Sequence, residues 1–482
     1  MAYVDAGTLL LPYRRSLGLN IAILSGELSG DLIGAGLAGE LRRLAPDVHL
    51  WGLGSGAMRS EGVELLADSA DWGAISITEA LKKVPRLLTH VAPRLKKELR
   101  ARRPDAVVLI DFGAFNVRVA RYCKSLGLKV CYYFPPGSWS RTGTRGAELS
   151  LLTDVIAAPF PWAAERYAKM GSNAVYVGHP LLERVKPTMT RPEFAAQFGM
   201  DPTRPIIGLL PGSRRHEVIH LMPALLGAAR LIYNKIPESQ FIVGVAPTIS
   251  AEMMQEYLRG HGELSDRWSH VWHEFVQEAE DRFIDPIERA ASKLSGRRSP
   301  ILVTEAGIQV SMEDMRSEMQ ARRRSEHIRA RADQSLPPTV LAKGVTYEIM
   351  AHSDVLLSCS GTATLEAAVL GTPMVILYRG SKIMELEYRL RGIKKKIRFI
   401  GLPNILADRE IAPELIQEDA NPARIAAHAC ALLNDPAIRQ HAKAGLAEVG
   451  AALGTAGAST RTAHLVLDLA SHEANNKIDK HE

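Results

Sequence analysis

The feature that most constrains this chain is an alternation that runs twice. "LNIAILSG", "VHLWGLGS", "DAVVLID", "LKVCYYF", "DVIAAPF" and "AVYVGHP" are short apolar runs rich in branched and aromatic residues. Stretches of helical spacing such as "DLIGAGLAGELRRL" and "VRVARYCKSLG" lie between them. Strands apolar on both faces, joined by helical crossovers, form a parallel sheet covered on both sides. After the polar stretch "KPTMTRPEFAAQFGMDPTR" the rhythm restarts at "PIIGLLPG" and continues through "SQFIVGVAP", "DVLLSCSG" and "TPMVILYR". The pattern predicts an α/β protein of two doubly wound, Rossmann-like domains, residues 18–185 and 200–425, joined near 185–203. Residues 426–472 read as C-terminal helices able to pack back on the first domain. Ligands of such sheets lie outside the carboxyl ends of the strands, so two facing domains enclose a cleft.

One segment breaks the rhythm. Residues 257–338 are dense in charge of both signs, as in "HEFVQEAEDRFIDPIERAASKL" and "MEDMRSEMQARRRSEHIRARADQ". Near-balanced signs read as a solvated helical insertion in the second domain rather than a nucleic-acid tract. "SPILVTEAGIQVS" inside it reads as a strand pair. The whole chain carries only +6 over 482 residues, which does not demand nucleic acid and suits anionic ligands or an anionic membrane surface. Cys123, Cys131, Cys359 and Cys430 are scattered without a CxxC pair, so neither a zinc site nor a disulfide framework is indicated. The N-terminal "MAYVDAGTLLLPYRRSLG" places its arginines after a short apolar run, the reverse of a signal peptide. No uninterrupted apolar stretch is long enough to span a bilayer.

The candidate chemistry sits where strands end. In "LLPGSRRHEV" a strand leaves through Gly212 and Ser213 and sets Arg214 at the mouth of a helix. Glycine lets backbone approach a ligand, a helix N-terminus offers N–H groups, and arginine grips phosphate. The alternative is a βα turn with solvated arginines. In "SCSGTATLEAAVLGTP", Ser360, Gly361 and Thr362 form a second small-residue loop, with Glu366 early in its helix. Two such loops in one domain point to a nucleoside diphosphate. In "SGELSGD", Glu27, Ser29, Gly30 and Asp31 lie between strand and helix, where Asp31 is either a site residue or a helix cap. "VVLIDFGAFN" puts Asp111 after a buried strand, as a general base facing the cleft or as a turn cap.

The chain resembles the lipid-A-disaccharide synthase family of GT-B glycosyltransferases. The resemblance rests on "GELSGDLIGAGL", "GSGAMRSEGVE", "IDFGAFN", "VGHPL", "LLPGSRRHEV", "LLSCSGTATLEAAVLGTPMVILYR" and "LPNILADREIAPELIQE", in the family's order. It implies a GT-B fold and an inverting transfer from UDP-2,3-diacylglucosamine to 2,3-diacylglucosamine 1-phosphate, releasing UDP. By position it implies that Arg214 meets the diphosphate and Glu366 the ribose, with Asn404 of "LPN" lining the same site. Asp111 matches the family's essential aspartate, and Glu27 and Asp31 fall on the acceptor side. No metal and no other cofactor are expected, because no DxD-like acidic pair occurs in a suitable loop.

The sequence also departs from the family. Gly113 and Ala114 stand where a proline and a second acid precede "FN". Trp139 is kept, but Arg141 replaces a second tryptophan. These differences fall on the acceptor side. They keep open a relative that uses another amphiphilic acceptor, a UDP-sugar epimerase and a catalytically silent binder. The acyl chains imply a peripheral place on the inner face of the cytoplasmic membrane. "VPRLLTHVAPRLKKELRARR" and "YRLRGIKKKIRF" are the candidate membrane-facing stretches, each otherwise an ordinary solvated helix. Homo-oligomerisation is left open.

Overall fold

The computed structural model describes residues 18–69, 72, 87–138, 146–259, 302–303, 309–310, 336–380 and 398–478. Trp139, Arg141, nearly all of "YRLRGIKKKIRF" and most of the charged insertion lie outside the described residues.

The first sheet has seven parallel strands: β1 (Asn20–Ser25), β2 (His49–Gly54), β3 (Glu64–Asp68), β4 (Ala106–Ile110), β5 (Val130–Tyr133), β6 (Val155–Ala158) and β7 (Ala174–Tyr176). Their order is β3-β2-β1-β4-β5-β6-β7. β4 is buried at every position, as expected of a strand covered on both faces. The helix Leu28–Leu44 lays Ile33, Leu37 and Leu41 on this sheet, spaced so that they share one face. The helix Ala458–Ile478 covers the same layer. Its Ala463, Val466, Leu467 and Ala470 join Ile21, Ile23 and Leu37 in one apolar cluster.

The second sheet is built from β8 (Ile206–Leu210), β9 (Gln240–Val245), β12 (Thr339–Lys343), β13 (Val355–Cys359), β14 (Met374–Tyr378) and β15 (Glu414–Ile416). All six are parallel, in the order β12-β9-β8-β13-β14-β15. Between β9 and β12 in the chain, β10 (Leu302–Val303) and β11 (Gln309–Val310) form a short antiparallel pair, as the sequence of that segment predicts. Three strands escape the sequence reading: β3, β12 and β15. Each is an edge strand with at most one buried residue, so none carries a continuous apolar run.

The connecting segment is tied to the second half. Thr188 donates to Glu348 through both its backbone N–H (3.1 Å) and its hydroxyl (2.9 Å). Arg191 pairs with Asp354 at 2.8 Å and donates to the carbonyl of His352 at 2.7 Å. On its other side, Glu183 accepts from the N–H groups of Gly457 (2.9 Å) and Ser459 (3.0 Å), holding the start of the last helix. All four cysteines are free and buried.

Candidate active site

Each sheet reverses its strand order once, and the predicted loops flank both reversals. In the first sheet β1 and β4 are neighbours, with Ser25 opposite Ile110. The Glu27 loop and Asp111 therefore leave the sheet side by side. In the second sheet β8 and β13 are neighbours, with Leu210 opposite Ser358. The Gly212–Arg214 loop and the Ser360–Thr362 loop leave it side by side. Such switch points are where open α/β sheets bind ligands.

Asp111 stands in an unusual backbone. Both Asp111 and Phe112 have φ of 46°, a left-handed conformation that side chains other than glycine rarely adopt. The turn is held from three sides. Asp111 donates its N–H to Tyr133 (3.1 Å), and its carbonyl accepts from the Tyr132 hydroxyl (2.8 Å) and the Asn116 amide (2.9 Å). The Phe112 ring lies over Gly26, where a Cβ would come within 2.1 Å of it. Phe112 also packs near Trp72 and Phe115, with ring centroids 6.4 and 5.5 Å away. Burial in these surroundings, and secondarily the charge of Glu27, push the Asp111 carboxyl up to about 6. Ala114 lies exposed in the first turn of the following helix.

The rest of the first loop divides. Glu27 caps the helix Leu28–Leu44 in extended conformation and remains partly exposed, as does Ser29. Asp31 and Gly30 must be reassigned from the acceptor side to the framework. Asp31 is 2% exposed, and its carboxylate accepts from the N–H groups of Ser55 (2.6 Å), Ala57 (2.9 Å) and Met58 (3.2 Å). It starts the helix Gly56–Ser60, not its own. Gly30 is buried against Ser25, where a Cβ would sit 2.9 Å from the hydroxyl. Close helix–strand packing, not ligand approach, requires that glycine.

The second domain's arginine loop holds an unforeseen occupant. Glu217 accepts from the N–H groups of Ser213 (2.9 Å) and Arg214 (3.1 Å). Its other oxygen accepts from the Arg214 guanidinium at 3.1 Å. The Ser213 and Arg214 N–H groups, expected to face an anion from outside, face a carboxylate of the chain itself. Gly212, at φ 115°, makes room for that carboxylate. Arg214 keeps 38% of its side chain exposed. His220 nearby is held below the ordinary imidazole range by burial, then by the charges of His216 and Arg379.

The Ser360–Thr362 loop is open. Gly361 and Thr362 are exposed at the start of the helix Thr362–Val369, and nothing lies within 4 Å of a Cβ built on Gly361. Ser360 instead donates its hydroxyl to the carbonyl of Ile400 at 3.0 Å. Glu366 lies one turn further in, 12% exposed, with Arg184 at 3.5 Å and the Tyr347 hydroxyl at 3.3 Å. Burial raises its carboxyl above the ordinary range, against the charge of Arg184. Arg184, Tyr347, Asn116 and Glu217 were not singled out from sequence. Only Glu217 had a local signal, an acid three residues after a helix start.

Asn404 does not line this site. It is fully buried, and its amide is saturated by Ala412 O (2.7 Å), Glu414 (2.8 Å), Ile411 N (2.7 Å) and Ala412 N (3.0 Å). It fixes the turn into β15 and has no atom left for a nucleotide. Among the described residues, no group of three or more His, Cys, Asp or Glu could hold a metal ion, and no helix is long and apolar enough to cross a membrane.

The chain overlays the calicheamicin glycosyltransferase CalG4 with a TM-score of 0.50 at 12% identity, covering 95% of this chain and 100% of that one. That likeness shows the fold, which is GT-B. In sequence it is 34% identical to the lipid-A-disaccharide synthase of Geobacter sulfurreducens, over 93% of this chain and 97% of the relative. It is 33% identical to that of Syntrophus aciditrophicus with the same coverage. These matches do not favour the epimerase alternative. The lipid-A-disaccharide synthetase family matches residues 21–267 and 284–463, and the chain belongs to that family.

Proposed function

We propose that this protein transfers a diacylglucosaminyl group from its UDP donor to the 6-hydroxyl of 2,3-diacylglucosamine 1-phosphate, with inversion at the anomeric carbon. One observation carries the reading: Asp111 stands at the switch point of one sheet, and the Arg214 and Ser360–Thr362 loops stand at that of the other. As the new C–O bond forms, Asp111 takes the hydroxyl proton. A base near pH 6 is suited to that work at neutral pH. The bond from the anomeric carbon to the diphosphate oxygen breaks, and UDP leaves with the electron pair. Arg214 and the N–H groups at the start of the helix Thr362–Val369 stabilise that charge. Glu366 accepts from the ribose, sharing its carboxylate with Tyr347 and Arg184. In this scheme the protein's own cations do the electrostatic work, and no metal enters it.

The acylated substrates place the enzyme on a membrane. The helix Ala92–Arg102 buries Leu95 and Leu99 and turns Lys96, Lys97 and Arg100 outward. Leu88, just before it, is 41% exposed. Basic residues beside an exposed apolar side chain suit the inner face of an anionic bilayer. The test of the activity is direct. Purified protein is incubated with UDP-2,3-diacylglucosamine and the acylated glucosamine phosphate, and mass spectrometry follows UDP and the disaccharide. The expected result is equal release of both. UDP without disaccharide, or neither product, overturns the reading. Because Ala114 replaces an acid near the acceptor, the same assay is run with other amphiphilic acceptors.

A further inference from the structure

Glu217 is the most fully enclosed acid of the second domain's site, at 4% exposure. One of its oxygens, Oε2, serves the two backbone N–H groups of Ser213 and Arg214. An acid at the third helical position reaching back to the N-cap N–H is an ordinary helix start. That motif does not require the second contact, in which Oε1 holds Nη1 of Arg214 at 3.1 Å. Nor does it require the fit at Gly212, where any Cβ would lie 2.4 Å from Oε2. The loop is built to bring backbone against this carboxylate, and the carboxylate takes one nitrogen of the arginine fork.

An acid beside a diphosphate repels it, so its presence needs another reason. Arginine is long and rotamer-rich, and ordering it on binding costs affinity. Held through Nη1, the planar guanidinium has fewer directions open to its remaining N–H donors. We propose that Glu217 is a positioning residue that presets Arg214 for the leaving diphosphate. This rests on the proposed function, which assigns Arg214 that role.

The test is a double-mutant cycle on the full chain, read by calorimetric titration with UDP. Glu217→Gln keeps one oxygen for the two backbone N–H groups but offers Arg214 an amide nitrogen, which cannot accept. UDP affinity should fall roughly three- to thirty-fold, in the range for directly contacting pairs. In the Arg214→Ala background the same change should move affinity less than about twofold. A purely structural cap would lower affinity, or the melting temperature, alike in both backgrounds, and that result overturns the proposal. So does wild-type affinity in Glu217→Gln. If that variant does not fold, Arg214→Lys decides. A point charge cannot present the fork, so affinity as low as in Arg214→Ala supports the proposal and wild-type affinity overturns it. If the wild-type chain binds no UDP, the proposed function falls first and this inference with it.

Discussion

The side-chain amide of Asn116 donates to the backbone carbonyl of Asp111 at 2.9 Å and to that of Ile110 at 3.1 Å. One buried side chain thus bridges the last residue of β4 and the residue carrying the proposed base. Two consecutive left-handed residues, Asp111 and Phe112, cost on the order of 1–3 kcal/mol each, so such a turn persists only where its surroundings hold it. Asn116 and Tyr132 do so from the helix and the sheet respectively.

Asn116→Ala should therefore separate catalysis from nucleotide binding. Two carbonyls lose a donor, that of Asp111 keeping the Tyr132 hydroxyl, and each lost hydrogen bond costs about 0.5–1.5 kcal/mol. Stability in urea should fall by that order. Turnover should fall about tenfold or more, because a small misplacement of a reacting group is costly. UDP affinity should stay at wild type, since the nucleotide loops belong to the other sheet. Wild-type turnover in a folded Asn116→Ala protein would show that the turn does not need this amide.

Arg214→Ala should weaken UDP binding several-fold or more, because hydrogen bonds to charged groups contribute about 1.5–3 kcal/mol. It also strips Glu217 of its charged partner, so the melting temperature is measured on the same preparation. Unchanged UDP affinity in an intact fold would remove Arg214 from the site.

Asn404→Ala gives the opposite pattern. It leaves two N–H groups and a carbonyl unsatisfied in the core and should destabilise by about 1–3 kcal/mol or more. The UDP affinity of the protein that remains folded should not change. A selective loss of UDP affinity at unchanged stability would return Asn404 to the nucleotide site.

The contrast between Asn404 and Arg214 shows what the sequence can reveal. Central strands such as β4 and β8 are buried at every residue and announce themselves as apolar runs, while the edge strands β3, β12 and β15 do not. The βα loops were legible because glycine and small residues interrupt those runs at their carboxyl ends. What a glycine is for was not legible. Gly26 admits the Phe112 ring, Gly30 packs on Ser25 and Gly212 admits Glu217, each a contact made by folding. Asp31 and Glu27 look alike in "GELSGD". Three N–H groups from a distant helix hold the one in the interior, while the other stays partly exposed at the N-cap of its own helix.

Attachment to anionic vesicles should weaken as salt rises, since exposed charges are screened over about 10 Å at 0.1 M ionic strength. Replacing Lys96, Lys97 and Arg100 together by glutamine should reduce flotation at low salt. All three are exposed on the outer face of their helix, so the fold should survive. Flotation that persists unchanged at high salt, or in the triple variant, would place membrane contact elsewhere.

The pH dependence of the reaction tests Asp111 most sharply. Its carboxyl is pushed up to about 6, first by burial and then by Glu27. The base form exists above that value, so kcat/KM should fall as pH drops through about 6. Glu27→Gln removes the like charge and should move the limb to lower pH, though not to the ordinary carboxylate range, because burial remains. Asp111→Asn should lose about 10²–10⁴-fold in turnover, lose that acid limb, and keep UDP affinity. Stability supplies an independent sign. A raised carboxyl binds more protons folded than unfolded, between its unfolded value near 3.8 and about 6. Its favourable contribution is therefore present at low pH and lost as pH rises through the folded value. Asp111→Asn, which cannot ionise, should melt above wild type at about pH 8 and approach it near pH 4. Most of the turnover surviving in Asp111→Asn would move the base elsewhere, with Glu27 the next residue to change. A melting difference that ignores pH would mean that Asp111 is not held in the buried, charge-opposed setting that makes it a base.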